Sequence, residues 1–276
     1  MLTTQIRKQL IAYYKEDLGS ADVTSAITPL KQCRAAIKVN EECTLAGVEE
    51  VIFLLQKLGL KTKAFVKDGK EVKKGTKILE LFGNNRKILS AERICLNILG
   101  RMSGVASICT IAKKKMKNSK TTLAVTRKTV PGFQLLDKRA AEVAGVWTHR
   151  KNLSEMILLK ENHLKFFKSA LDAAESAKKT GKKFEIEVEN EWDAIAASLA
   201  NPDIIMLDNF SSKNAKFTIQ NLKKAGFRGK IEISGGITIK NLGKYSKLGA
   251  DIISMGELTK KAKIIDFSLD ILEVKK

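Results

Sequence analysis

The sequence predicts an α/β protein: a mixed α+β segment followed by strand–helix units that build a parallel sheet. Three observations carry this. From about Thr121, short apolar, β-rich runs alternate with helical stretches at βαβ spacing. Before that point strand-like and helical runs are mixed without such a rhythm. In the second part, polar residues gather just past each strand end, where parallel sheets and barrels bind ligands.

In chain order, Gln5 to Glu16 places Ile6, Leu10, Ile11 and Tyr14 at helical spacing, and the loop formers of Asp17 to Thr24 end it. Strands are predicted at Ala35 to Val39 and Lys63 to Val66, with an amphipathic helix at Val48 to Leu58 between them. Asp68-Gly69 marks a tight turn between strands within Val66 to Val72, and Ile78 to Phe82 is a further strand. A long helix covers Lys87 to about Met116, with an interruption expected at Ser103-Gly104. The second-part strands are Thr122 to Val125, Met156 to Leu159, Phe184 to Val188, Ile204 to Leu207, Lys230 to Ile233 and Asp251 to Ser254. Helices are expected at Leu135 to Val143, Leu164 to Lys178, Glu191 to Leu199, Ser212 to Ala225 and Ile239 to Leu248. Periodicity fits a barrel and an open doubly wound sheet alike; charged groups offered by strand after strand to one place favour a closed or nearly closed barrel.

The 276 residues carry a formal charge of +20, with a sequence pI near 9.7, 44% hydrophobic and 29% charged residues. That composition suits a folded core and argues against a disordered or fibrous chain. Apolar runs such as Val51 to Leu55 are too short to span a bilayer, and MLTTQIRKQL lacks the apolar centre of a secretory signal, so a cytoplasmic protein without a membrane role is expected. Cys33, Cys43, Cys95 and Cys109 are too dispersed for a disulfide framework or a CxxC metal site and read as reduced thiols. His149 and His163 alone exclude a multi-histidine metal centre. Aromatics at 6% and the lack of a recognition motif argue against nucleic acid as the partner of the positive charge. Of the 50 basic residues only nine are Arg, and five of these fall together: Arg93, Arg101, Arg127, Arg139 and Arg150. Arg presents a planar fork of donors suited to carboxylates and phosphates, so this clustering points to anion recognition.

The strand ends carry the chemistry. Thr126 to Gly132 sets Arg127 and Lys128 between two hydroxyls in a loop closed by Pro131-Gly132. Thr148-His149-Arg150 adds a second cationic group. Lys160 follows the apolar run Met156 to Leu159, which sets its stem in the sheet mouth and calls for an anionic partner. Glu185, Glu187 and Glu189 share one face of a strand by period-2 alternation, and with cations at neighbouring strand ends the inward face is expected for at least one. Asp208 ends the next strand. Two acids among several cations can bind Mg²⁺ with a phosphorylated substrate or stabilise positive charge at a reacting carbon. Ser234-Gly235-Gly236 and Gly256 end the last strands, where backbone N–H groups can approach a phosphate.

Together these blocks resemble the quinolinate phosphoribosyltransferase family: Glu16 to Thr24, Leu45 to Gly47, Glu92 to Asn97, Ser103 to Ala106, Thr126 to Gly132, His149-Arg150, Leu159 to His163, Glu187 to Glu189, Met206 to Asn209 and Ser234 to Thr238. The resemblance covers nearly the whole chain. It implies an N-terminal α+β domain (1–105, joined by the tail 266–276) and an incomplete, open α/β barrel (106–265). It further implies a homodimer whose partner completes each site, or a larger assembly of such dimers. The implied reaction moves a phosphoribosyl group from 5-phosphoribosyl 1-diphosphate to quinolinate and releases diphosphate and CO₂ to give nicotinate mononucleotide, with Mg²⁺ and no organic cofactor. By the resemblance Arg127, His149, Arg150 and Lys160 line the quinolinate and phosphoribosyl site, and Lys128 reaches the sugar phosphates. Glu187 and Asp208 face the ribose and the Mg²⁺-diphosphate end, and Lys160, Glu187 and Asp208 are the expected catalytic groups. Arg93 reaches across the dimer to a substrate carboxylate, and Ser234, Gly235, Gly236 and Gly256 hold the 5-phosphate. The chain departs from the family pattern at Trp147-Thr148, where a glycine-rich run ending in Asn-His is usual, and at Glu161 in place of Asp. A related molybdate-transport branch, or a paralogue serving another phosphorylated metabolite, is the alternative; Lys160 and the Asp208-Asn209 pair, which that branch is expected to lack, favour the biosynthetic enzyme.

Overall fold

The computed structural model describes residues 2–116 and 119–275. Met1, Lys117, Asn118 and Lys276, which the domain bounds expected from the sequence include, lie outside the described residues. In chain order the elements begin α1 (Thr4–Leu18), α2 (Val23–Ala26), β1 (Gln32–Val39), β2 (Cys43–Thr44) and α3 (Val48–Lys57). There follow β3 (Lys61–Ala64), β4 (Glu71–Val72), β5 (Lys77–Asn84), α4 (Asn85–Lys115), β6 (Thr122–Val125) and α5 (Gln134–Val143). The chain continues through β7 (Ile157–Leu159), α6 (Glu161–Leu164), α7 (Ala170–Lys178), β8 (Phe184–Val188), α8 (Glu191–Ser198) and β9 (Ile204–Asp208). It ends with α9 (Ser212–Lys224), β10 (Lys230–Ser234), α10 (Leu242–Tyr245), β11 (Ile252–Met255), α11 (Glu257–Lys260) and β12 (Phe267–Val274). These elements form two compact units, one of residues 1–110, 131–145 and 261–276, the other of 111–130 and 146–260.

In the first unit an antiparallel sheet runs β12-β1-β5-β3. Its central strands bury Cys33, Ala35, Ile37, Val39, Leu79 and Leu81, and α3 buries Val51, Leu54 and Leu55. The Asp68-Gly69 turn does not join a hairpin: β3 pairs with β5 and β4 with β2, while the Asp68 carboxylate accepts from the Val48 and Glu49 N–H groups and caps α3. Helix α4 is continuous, not interrupted at Ser103-Gly104. Gly104 is there because a Cβ would sit 1.8 Å from the Lys263 carbonyl oxygen, so the return segment can lie directly on the helix backbone. This helix is long and apolar enough to cross a membrane, unlike the short apolar runs of the sequence, but 67% of its most apolar window is buried inside the protein. It serves as a core helix.

Two of the five clustered arginines are structural, contrary to the expectation of anion recognition. Arg101 donates from Nε and Nη2 to the two oxygens of buried Asp137, both at 2.8 Å. Arg139 reaches Glu49 at 2.7 Å and buried Glu50 at 3.5 Å. Charge in the sequence shows the demand for an anion but not that the fold supplies it.

The second unit is a six-stranded parallel sheet in the order β6-β11-β10-β9-β8-β7, the open α/β barrel. Trp147 extends the β6 edge through a parallel bridge with Ala124, so the break in the barrel falls between Trp147 and β7. Ala124, Ile204 and Ile252, with Met156 against them, fill the interior at the strands' N-terminal ends. Two helices differ from expectation. Leu164 to Lys178 is divided because the Ser169 side chain caps a new start by accepting from the Asp172 N–H. Ile239 to Leu248 contracts to the single turn α10, where Thr238 and Asn241 satisfy each other's backbone.

Candidate active site

Alternate side chains of the barrel strands point inward, and at the C-terminal ends they turn from apolar to ionic. The result is a cavity of about 310 Å³, lined by Thr126, Arg127, Lys128, His149, Arg150, Leu158, Lys160, Glu187, Met206, Asp208, Glu232, Ser234 and Ser254. Eight expected residues are therefore brought together: Arg127, Lys128, His149, Arg150, Lys160, Glu187, Asp208 and Ser234.

Lys160 ends β7 and serves as N-cap of α6, its backbone N–H donating to His163 Nδ1. Its ammonium donates to Glu187 Oε2 at 2.5 Å. Burial pushes the Glu187 carboxyl above its usual range, Lys160 works against that rise and Asp208 adds to it. Asp208 is likewise raised by burial, with Lys160 and Lys128 opposing. Its Oδ2 accepts from the Asn209 side-chain amide at 2.6 Å. Of the three alternating glutamates, Glu185 and Glu187 are buried and Glu189 is exposed.

Arg150 is buried, its Nη1 donates to the Met156 carbonyl at 3.2 Å, and its Nε has no hydrogen-bond partner. Burial and the neighbouring Arg127 lower its pKa. A buried guanidinium with a free donor, facing a second guanidinium across a cavity, calls for an anion between them. Lys128 is fixed by its backbone: its N–H donates to Thr126 Oγ1 at 3.1 Å and its carbonyl accepts from Thr259 Oγ1 at 2.7 Å. Gly256 leaves room for its stem, since a Cβ there would stand 3.1 Å from Lys128 Cδ.

Gly235 and Gly236 follow Ser234 with φ of 79° and 60°, and Asn209 beside them also has a positive φ of 58°. They flank the cavity rather than line it, as does Gly256. Arg93 is exposed on α4 and lines a different cavity with Asn97, Ile264 and Asp266.

The floor holds residues that the sequence reading did not single out. Glu232 is buried, and its carboxylate lies 3.3 Å from His149 Nε2; Glu185 lies 3.0 Å from the same nitrogen. These three side chains have donor atoms close enough to embrace a metal ion. However, the Arg150 N–H donates to His149 Nδ1 at 2.8 Å, which leaves the ring hydrogen on Nε2, and a metal there would require an imidazolate. Burial opposes a second ring proton and the Glu185 and Glu232 carboxylates favour it, raising the His149 ring to about 9; the Arg150 N–H aimed at Nδ1 works against that proton and fixes the Nε2–H tautomer. Glu185 is pushed up to about 7, by burial foremost and by Glu232, against the His149 bond. The signal for Glu232 was available: it sits two residues before Ser234 and so shares its inward face.

Two family models match the chain, the quinolinate phosphoribosyl transferase N-terminal domain over residues 22–103 and its C-terminal domain over 105–270. A probable carboxylating nicotinate-nucleotide pyrophosphorylase of Archaeoglobus fulgidus is 37% identical over 256 residues, 91% of this chain and 98% of the relative. The carboxylating nicotinate-nucleotide pyrophosphorylase of Homo sapiens is 31% identical over 265 residues, 94% of this chain and 89% of its own length. The solved nicotinate-nucleotide pyrophosphorylase of Francisella tularensis superposes with a TM-score of 0.89 at 33% identity, covering 99% of this chain and 98% of that one.

Proposed function

This chain belongs to the quinolinate phosphoribosyltransferase family, and we propose from that premise that its barrel-end cavity moves a phosphoribosyl group from 5-phosphoribosyl 1-diphosphate to the quinolinate nitrogen, then releases CO₂ to give nicotinate mononucleotide. The observation that carries the reading is one cavity in which Arg127, Lys128, Arg150 and Lys160 converge over the paired strand-end acids Glu187 and Asp208. A dicarboxylate and a polyphosphate need that density of cations, and an electron-deficient sugar carbon needs the acids.

Arg127 and Arg150 hold the carboxylates of quinolinate, and Lys128, with the Ser234 to Gly236 turn and Gly256, takes the phosphate of the sugar. Departure of diphosphate leaves oxocarbenium-like charge on the ribosyl carbon; Glu187 and Asp208 stabilise it, and Lys160 opposes the rise that burial imposes on the Glu187 carboxyl. Quinolinate nitrogen forms the new C–N bond. The bond to the 2-carboxylate then breaks, its electron pair remains beside the cationic ring nitrogen, and a proton replaces CO₂. The hard oxygen pair of Glu187 and Asp208 fits Mg²⁺. Bound with diphosphate, Mg²⁺ supplies offset for the leaving group's charge. Cys33, Cys43, Cys95 and Cys109, buried and not joined in disulfides, suit a reducing cytoplasm.

The test is an assay of diphosphate and CO₂ release with quinolinate, 5-phosphoribosyl 1-diphosphate and Mg²⁺, beside one with nicotinate. Turnover with quinolinate alone is expected; turnover with nicotinate and none with quinolinate rejects the substrate.

Arg93, exposed on α4 and outside this cavity, is assigned to the neighbouring subunit's site in a homodimer. Mixing inactive Arg93→Ala subunits with inactive Lys160→Ala subunits is expected to restore activity in hybrids, because one site per hybrid is intact. Absence of recovery, with subunit exchange confirmed by mass, argues for sites complete within one chain.

A further inference from the structure

We propose that Glu185 and Glu232 are positioning residues that clamp His149 and, through it, hold Arg150 for the substrate carboxylates. This inference rests on the reading of the cavity as a quinolinate site.

Both nitrogens of His149 face groups of the protein. Nδ1 accepts the Arg150 N–H at 2.8 Å, and Nε2 faces Glu185 Oε2 at 3.0 Å and Glu232 Oε2 at 3.3 Å. The Trp147 ring leans on the imidazole with centroids 4.8 Å apart at 40°. The bulky residue that departs from the family pattern thus forms one side of the ring's enclosure. The imidazole is held on its two nitrogens and one flank, so in the cavity wall it acts as a brace and not as a donor.

The brace spans the barrel. Glu185 is on β8 and Glu232 on β10, with β9 between them, yet both carboxylates converge on one N–H. Both side chains are fully buried, and their oxygens meet no hydrogen-bond donor of good geometry among the described residues; the His149 ring nitrogen at 3.0 and 3.3 Å is the polar group they approach. Two buried acids sharing one donor are costly as a packing solution, which an apolar pair would fill more cheaply. What they achieve is a fixed ring position. His149 itself has φ of 54°, a left-handed conformation that a non-glycine residue keeps only when its surroundings hold it. Its Nδ1 then fixes the peptide N–H of Arg150, whose buried guanidinium is tied at Nη1 to Met156 and carries an unpartnered Nε. Removing the clamp frees the turn at 149–150 and lets that guanidinium drift from its place.

Two readouts on the full-length protein test this. In imidazole ¹⁵N–¹H spectra, simplified because only His149 and His163 are present, the wild-type protein should show one slowly exchanging Nε2–H with a bare Nδ1, and Glu232→Ala should lose that protection. By calorimetry, Glu232→Ala should weaken quinolinate binding about tenfold while changing 5-phosphoribosyl 1-diphosphate affinity less than about twofold. Glu232→Gln, whose amide oxygen can still accept from Nε2–H, should recover most of the loss. A hydrogen on Nδ1, equal weakening of both ligands, or unchanged quinolinate affinity in Glu232→Ala overturns the proposal. A wild-type protein that binds no quinolinate defeats the functional reading instead, and the spectrum still decides the clamp.

Discussion

Lys160→Ala is expected to lower turnover by roughly 10³-fold while leaving the fold intact, on the scale of losing a preorganised charge at a reacting centre. The lysine stands at the C-terminal end of β7 with its ammonium 2.5 Å from Glu187 Oε2 and its side chain 39% exposed. Its removal opens no core void, so thermal midpoints of variant and wild type should agree closely. The chemical effect is larger because it is double. One cation that offsets substrate charge is lost, and Glu187 loses the partner that opposes its burial-driven rise in pKa. Glu187 then takes up a proton at higher pH than before and ceases to be the anion that faces the ribosyl carbon. The sign follows: the acid limb of the pH–rate profile moves upward in Lys160→Ala, so residual activity grows toward alkaline pH relative to wild type. Steady-state kcat and KM across pH measure both features. A wild-type rate, or a fall with an unmoved acid limb, rejects the role given to the pair.

The sequence exposed the barrel because each strand is a short apolar run, and it exposed half of the site because Lys160, Glu187 and Asp208 stand where those runs stop being apolar. Its silences have particular causes. Arg101 and Arg139 look like anion-binding groups in the sequence because their partners Asp137, Glu49 and Glu50 are acids like any other until the fold apposes them. Glu232 is easily overlooked in Lys230 to Ser234, where a charge between two isoleucines looks like the solvent face of a strand; its alternation with Ser234 points inward, and the register with Met206 sets it there. The expected helix at Ile239 to Leu248 has the apolar spacing, but the local bonding of Thr238 with Asn241 delays its start to Leu242, and the chain leaves it after Tyr245 toward Gly249 with φ of 89°. Patterning reports what a segment can bury, whereas the site depends on which segments meet.

Gly235→Ala should be as damaging as loss of a catalytic charge, by a steric route. At φ of 79° an L-side chain is strained, which costs roughly 1–2 kcal/mol. The added methyl would also stand 2.4 Å from the backbone nitrogen and the side-chain oxygen of Asn209, inside van der Waals contact. Asn209 cannot simply yield. Its N–H donates to the Ser234 carbonyl at 3.1 Å, its amide donates to Asp208 Oδ2, and its own φ is 58°. Making room for one methyl therefore pushes on Asp208 and on Ser234, the acid and the hydroxyl that close one side of the cavity. The expected result is a stability loss of about 2–4 kcal/mol with turnover down at least ~10²-fold. Gly236 provides the control: it shares the left-handed backbone at φ of 60°, but its nearest atom to an added Cβ is 4.0 Å away, so Gly236→Ala pays the backbone strain alone. Denaturant unfolding and kcat/KM for the two variants separate strain from displacement. If both lose the same stability, the contact with Asn209 does not organise the site.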